Sequence, residues 1–253
     1  MISFLKNTLI VLWLCIAFFL GTILSLLRWR NPNNMYATQK LFAWGALPIA
    51  GITVELEGAE HLEAHQPCIY ISNHQSGLDV ATFGSKYPHR TVGIGKKELL
   101  FIPFFGVFFA AAGNILIDRK NSQSAVKSLG QAAEHIKTRG VCVGVFPEGT
   151  RNRTGKGFLP FKKGAFFLAK DAGVPIVPYV SSPIGAVFDQ KTKHLKGGKV
   201  ILRLLPPIHV GGKSKSELDR IVIQTREQML DAYYELAAKV GYDDRRPSAA
   251  PTS

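Results

Sequence analysis

Residues Thr8 to Leu27 (TLIVLWLCIAFFLGTILSLL) are 20 consecutive residues without a charge. As a helix such a run reaches roughly 30 Å, the thickness of a bilayer core. Lys6 precedes it, Arg28 and Arg30 follow it, and Trp29 is placed for the membrane interface. A cleaved signal peptide is the poorer reading, because the run exceeds the usual apolar region of about 7–15 residues and no small-x-small cleavage pattern follows. Cys15 lies in the middle of the run, which argues against a lipoprotein signal.

No Asp or Glu occurs before Glu55, so residues 1–54 are apolar and purely cationic. That pattern suits an anionic lipid surface. Three of the four cations (Arg28, Arg30 and Lys40) follow the run, a bias that places the main domain in the cytoplasm. A second apolar stretch, Leu41 to Val54, is too short to span and contains Pro48. It reads either as the second arm of a helical hairpin lying in the interface or as ordinary core.

Beyond this membrane-anchoring segment the chain alternates short apolar runs with helical patterns. Strands are predicted at Pro67–Ser72, Thr91–Gly95, Val141–Phe146, Val174–Val180 and Lys199–Leu205. A helix is expected from about Gly77. Asn121 is placed to cap another, in which Leu129, Ala132, Ala133 and Ile136 recur at helical spacing up to Gly140. Ser214 and Glu217 form a capping box for a last helix ending near Val240. The fold class is therefore α/β, a mixed sheet flanked by helices, with an N-terminal membrane helix or helical hairpin. The main domain is expected over residues 55–242, and a polar, disordered tail over 243–253.

Several segments carry chemistry. Asn73-His74-Gln75-Ser76-Gly77-Leu78-Asp79 follows a predicted strand directly. On a regular helix His74 and Asp79 would point about 140° apart, but on a loop entering a helix they converge. An Asp bonded to one imidazole nitrogen fixes the tautomer and leaves the other free to take a proton. Phe146-Pro147-Glu148-Gly149-Thr150-Arg151-Asn152-Arg153 leaves a buried strand and turns at Gly149, a place suited to an anion held by a guanidinium fork. Lys96 and Lys97 add cations after another strand. Leu99–Ala112, with five Phe, reads as a core helix or as the wall of an acyl-chain cavity or membrane-facing surface. A P-loop is excluded: five residues separate Gly149 from Gly155-Lys156, and Gly157 stands where Ser or Thr should be. No Gly-x-Ser-x-Gly elbow occurs. The three cysteines are dispersed and form no metal or disulfide pattern. The net charge of +13 suggests nucleic acid, but the basic residues are scattered and no nucleic-acid-binding signature accompanies them.

Four of these segments, in this order, resemble the glycerolipid acyltransferase family. Asn73–Asp79 is similar to its His-x-x-x-x-Asp block, Gly113–Arg119 to its second, Phe146–Arg151 (FPEGTR) to its third and Val174–Pro178 (VPIVP) to its fourth. Leu116 and Asn152 depart from residues common in the family, and neither change removes a reactive group. The resemblance implies transfer of a fatty acyl group from a thioester to the sn-2 hydroxyl of lysophosphatidic acid, giving phosphatidic acid. Another lysolipid, or glycerol 3-phosphate, is the alternative acceptor. His74 would be the base and Asp79 its orienting partner. Arg151 with Lys96 would hold the acceptor phosphate, and Glu148, Gly149 and Thr150 would complete the substrate site. Pro175 and Pro178 are expected at a sheet edge. The resemblance implies no cofactor or metal, acyl-CoA or acyl-carrier protein as donor, and membrane lipids as surroundings. It places the protein at a bacterial inner (cytoplasmic) membrane with its catalytic domain on the cytoplasmic side.

Overall fold

A computed structural model describes residues 2–102, 104–118, 122–154 and 156–244. In chain order the elements are α1 (Ile2–Leu27), α2 (Asn34–Ala50), β1 (Ile52–Glu57), β2 (Ile69–Ser72), α3 (Asp79–Ser85), β3 (Thr91–Lys96), α4 (Phe105–Ala111), β4 (Ile115–Ile117), α5 (Ser122–Arg139), β5 (Cys142–Val145), α6 (Gly164–Ala172), β6 (Ile176–Ser181), β7 (Phe188–Asp189), β8 (His194–Leu195), β9 (Gly198–Leu204) and α7 (Lys215–Lys239). Seven strands form one sheet in the order β1-β9-β6-β2-β5-β3-β4. Neighbours are parallel except β6 and β9. The mixed α/β sheet expected from the sequence is present.

The central strand β2 is buried at all four positions, and its side chains alternate between the two faces. Ile69 and Ile71 pack with apolar residues of α5, α6 and α7. Tyr70 packs with residues of α1, α2 and α3 on the other face. Each fully buried Ile contributes about 1.5–3 kcal/mol. From β2 the chain crosses to β3 through α3, whereas from β5 it crosses back to β6 through α6. The carboxyl ends of β2 and β5 therefore flank a topological switch point, the crevice in which α/β sheets bind ligands.

The helix α1 is long and apolar enough to cross a membrane. It also lies against the domain along its length. Near its start Asn7 donates to the Lys193 carbonyl at 2.8 Å, and Ser3 meets His194 at 2.9 Å. In the middle Ile10 is buried in the core, and Phe18 stacks on Phe105 of α4. Just past its end the Arg30 amide donates to the Ala111 carbonyl at 2.8 Å. A Cβ on Gly21 would fall 2.5 Å from Thr38 of α2, so the two helices touch closely. The outer face of α1 exposes Phe4, Leu12, Phe19 and Leu27.

Residues 52–54 of the second apolar stretch open β1, and residues 41–50 close α2, the antiparallel partner of α1, whose Ala43, Ala46, Leu47 and Ala50 are core. Pro48 does not break it: the helix runs on to Ala50, because a proline in the last turn forfeits only one helical bond. The boundary drawn after residue 54 falls inside β1, which pairs with β9. Leu99–Ala112 is not one helix. A 3-10 turn (Lys97–Phe101) and α4 divide it, with Phe108 and Phe109 buried and Phe101 and Phe104 exposed.

Pro178 does not mark an edge, since β6 is an interior strand. Its carbonyl accepts from Leu205 where β9 ends, so the missing N–H faces the end of the ladder rather than an unbroken partner. The capping box of the last helix is complete, with Glu217 N–H donating to Ser214 Oγ and the Ser214 amide donating to Glu217. Of the expected tail, Asp244 is held to the domain, accepting from Tyr233 at 2.9 Å, and residues 245–253, like the cap expected at Asn121, lie outside the described residues.

Candidate active site

The site is built where β2 ends. Asn73 is fully buried, and its amide continues the sheet: Nδ2 donates to the Ser181 carbonyl at 3.1 Å, and Oδ1 accepts from the Ser181 amide at 2.8 Å. Two residues on, the Gln75 amide ties the same loop to Ser182 and Ile184. Between them the chain wraps around one carboxylate oxygen. Asp79 Oδ2 accepts from the Gln75 amide at 2.7 Å, from the Ser76 amide at 2.9 Å and from His74 Nδ1 at 2.7 Å.

Asp79 opens α3 and is 1% exposed. A carboxylate only accepts, so His74 carries a proton on Nδ1, and in the neutral ring that tautomer leaves Nε2 bare. The imidazole stacks on Phe146, with ring centroids 4.0 Å apart and planes 13° apart. Asp79 and Phe146 together fix the ring in position and in plane.

His74 opens on a cavity of about 670 Å³ that is also lined by Asp79, Lys96, Gly149, Thr150, Arg151 and Arg153. Lys96 ends β3 and Arg151 follows the turn at Gly149, both with exposed side chains. Gly149 has φ +73, a backbone conformation that disfavours a side chain. A guanidinium, an ammonium and the His74 imidazole thus line one space. That arrangement can hold an anion and deprotonate a hydroxyl attached to it.

Glu148 takes a different place from the one expected. It is 3% exposed and does not line the cavity. Its oxygens accept from the His74 amide at 2.9 Å and the Leu159 amide at 2.8 Å, so it braces the loop from behind. Burial raises its carboxyl above the usual range, against the pull of those two amides. The His74 carbonyl accepts from the Asn152 amide at 2.7 Å. The third motif therefore grips the first on both sides of the imidazole.

Asn73, Gln75, Phe146 and Asn152 are structural partners of the site to which sequence reasoning gave no role. Their signal was adjacency: each lies beside a named residue in a motif. The second motif contributes support, with Asn114 Oδ1 accepting from Gly93 of β3 at 2.7 Å. Ile117 lines a smaller apolar cavity of about 240 Å³ with Ile94, Leu129, Val145 and Leu168. Phe146 and Gly149 line both cavities. Arg119 lies outside the described residues.

The Acyltransferase family profile matches residues 53–182, which contain every expected site residue. The chain is 36% identical over 241 residues to a 1-acyl-sn-glycerol-3-phosphate acyltransferase of Haemophilus influenzae, covering 95% of this chain and 98% of that one. It is 38% identical over 220 residues to a protein of the same name from Escherichia coli, covering 87% and 88%. A crystal structure of the 1-acyl-sn-glycerophosphate acyltransferase of Thermotoga maritima has the same fold, with a TM-score of 0.69 and 24% identity over 91% of this chain and 96% of that one. With the motif order, the sheet and nearly full-length similarity in agreement, the chain belongs to the Acyltransferase family.

Proposed function

We propose that the protein transfers a fatty acyl group from a thioester to the sn-2 hydroxyl of lysophosphatidic acid, forming phosphatidic acid. The observation that carries this reading is the oriented His74–Asp79 pair opening on the same cavity as Arg151 and Lys96. The relatives named for this reaction support the choice of acceptor. Arg151 and Lys96 would hold the acceptor phosphate and bring the hydroxyl to His74. Nε2 takes the hydroxyl proton as the oxygen attacks the thioester carbonyl carbon. Asp79 stabilises the imidazolium so formed. When the carbon–sulfur bond breaks, the imidazolium returns the proton to the departing sulfur, releasing a thiol. General base catalysis of this kind supplies about 10²–10⁴-fold. Fixing the acceptor by its phosphate adds positioning and favours transfer over hydrolysis. The apolar cavity beyond Phe146 suits the acyl chain. The reaction draws on no cofactor, with acyl-CoA or acyl-carrier protein as the donor substrate.

The protein would work at the cytoplasmic membrane, with its catalytic domain on the cytoplasmic side. A helix fastened to the domain at both ends cannot cross a bilayer while the domain stays in water. Its exposed apolar face therefore lies within one leaflet. Phe101 and Phe104 are exposed in the segment that follows Leu99, at the rim of the catalytic cavity, and would give lysolipid a path from the leaflet.

An acceptor panel tests the reading. Purified protein in detergent micelles is offered lysophosphatidate, lysophosphatidylcholine and glycerol 3-phosphate with each donor. The highest kcat/KM is expected for lysophosphatidate. A preference for either of the others would reassign the acceptor.

A further inference from the structure

A second, polar cavity of about 310 Å³ lies beyond the carboxyl end of β6. It is lined by residues 152–154, 156 and 157, by the chain that follows β6 and by the end of the last helical region. Its charged lining is unbalanced: Arg153, Lys156, Lys191 and Lys196 face one carboxylate, Asp189. Among the described residues none of these four cations forms a salt bridge. Asp189 is engaged by its own turn, accepting from the amides of Lys191 at 2.8 Å and Thr192 at 3.2 Å.

The walls are braced. The Asn152 amide donates to the carbonyls of Lys156 at 3.1 Å and Gly157 at 2.8 Å, and its oxygen accepts from the Thr154 amide at 3.0 Å. That fixes the loop that presents Arg153 and Lys156. Lys196 is held by the Gly185 carbonyl at 2.9 Å. The cavity adjoins the catalytic one. Arg153 lines both, and Gln75, next to His74, lines this one while its carbonyl accepts from Gln190 at 3.1 Å.

Acyl transfer needs two substrates at His74 together. The acceptor's phosphate is already provided for by Arg151 and Lys96, and an acyl chain does not belong among four cations. What remains is the far end of the donor. A thioester donor built on pantetheine carries a phosphate at the other end of a flexible polar arm, whether the carrier is a nucleotide or a protein. Resting on the acyl-transfer reading above, we infer that the second cavity binds the phosphate of the donor's phosphopantetheine arm, with Lys156 and Lys191 as its exposed contacts and Arg153 at the junction.

The test is the double variant Lys156→Glu/Lys191→Glu, both positions being exposed and outside the catalytic pair. Kinetics are measured with acyl-pantetheine and acyl-4′-phosphopantetheine, which differ only in the phosphate. In the unmodified protein the phosphorylated donor is expected to have the higher kcat/KM, by on the order of 10-fold, as two solvent-exposed charge pairs would give. In the variant that advantage should vanish, with kcat/KM for acyl-pantetheine and KM for lysophosphatidate unchanged. Acyl-CoA and acyl-carrier protein are run alongside, and whichever loses in the variant is the source of the phosphate. A phosphate advantage that survives in the variant overturns the inference. So does a defect confined to lysophosphatidate KM, which would make the cavity an acceptor site. Calorimetric binding of coenzyme A without acceptor separates this inference from the acceptor assignment. If lysophosphatidate proves not to be the acceptor, weaker coenzyme A binding by the variant still supports the phosphate site, and equal binding overturns it.

Discussion

Replacing Asp79 by Asn should separate charge from orientation in the His74 pair. All three bonds to this carboxylate fall on one oxygen, and Oδ1 has no partner among the described residues. An asparagine can therefore place its carbonyl oxygen at the Oδ2 position, where the amides of Gln75 and Ser76 require an acceptor. His74 keeps its proton on Nδ1, and the ring keeps its orientation. What is lost is the negative charge. A charge-assisted bond contributes about 1.5–3 kcal/mol and a neutral one about 0.5–1.5, so about 1 kcal/mol per bond is at stake in the folded loop. Relief of a buried, half-satisfied charge offsets much of this. The imidazolium formed during reaction loses more: unit charges 4 Å apart interact by about 4 kcal/mol at an effective dielectric of 20. Turnover should fall on the order of 10²- to 10³-fold, with a melting temperature near that of the unmodified protein. Asp79→Ala instead strands two buried amides at about 1–3 kcal/mol each and should melt well below it. The assay is thiol release at saturating donor and acceptor, paired with thermal melts. An Asn variant within threefold of full turnover would refute the electrostatic role. One as inactive as His74→Ala would refute the separation of charge from orientation.

Arg151→Ala should lower kcat/KM for lysophosphatidate by about 10- to 100-fold, and Arg151→Lys should recover part of it, because an ammonium keeps the charge and loses the fork. Steady-state kinetics with each substrate varied in turn check this, and a defect confined to donor KM would move the loop to the donor. Burial works against ionisation of Glu57, but Lys239 at 2.6 Å and Arg203 at 2.7 Å outweigh it and hold the carboxyl below its usual range. Its stabilisation is then present above the ordinary Glu value near 4.3 and lost as pH falls through the lowered one, so Glu57→Gln should cost about 1 kcal/mol at pH 7 and progressively less as pH falls below that ordinary value in denaturant titrations. Cys15 is exposed on the outer face of α1, whereas Cys68 and Cys142 are buried with sulfurs 3.8 Å apart. On vesicles a lipid-soluble maleimide should label Cys15 alone and an aqueous one none of the three; aqueous labelling of Cys15 would place that face outside the leaflet.

What the sequence disclosed was local. Ser214 and Glu217 announce a helix start because a capping box needs only four residues, and both of its bonds are present. His74 and Asp79 were legible as a pair because five residues of loop suffice to bring them together. The position of Pro178 was not, because nothing in a run of apolar residues says which strand lies on either side; the neighbours β2 and β9 come from opposite ends of the domain. The inward turn of Glu148 was hidden for the same reason. Its acceptor duty toward the His74 amide spans 74 residues, and in sequence it reads as one more charge in a polar loop. The strand β1 was folded into an apolar stretch because its partner, β9, lies more than a hundred residues away. The second cavity is least legible of all, since its cations come from three separate loops.

The central claim is that His74 delivers an acyl group from a thioester to the sn-2 oxygen of lysophosphatidate. The most direct measurement offers isotope-labelled acyl-CoA and lysophosphatidate to the purified protein and to His74→Ala, then cleaves the product at sn-2 before mass spectrometry. Labelled fatty acid released from the sn-2 position of phosphatidic acid, formed by the unmodified protein and not by a folded His74→Ala, is the expected result. Label recovered only as free fatty acid, or phosphatidic acid formed equally by the variant, would contradict it.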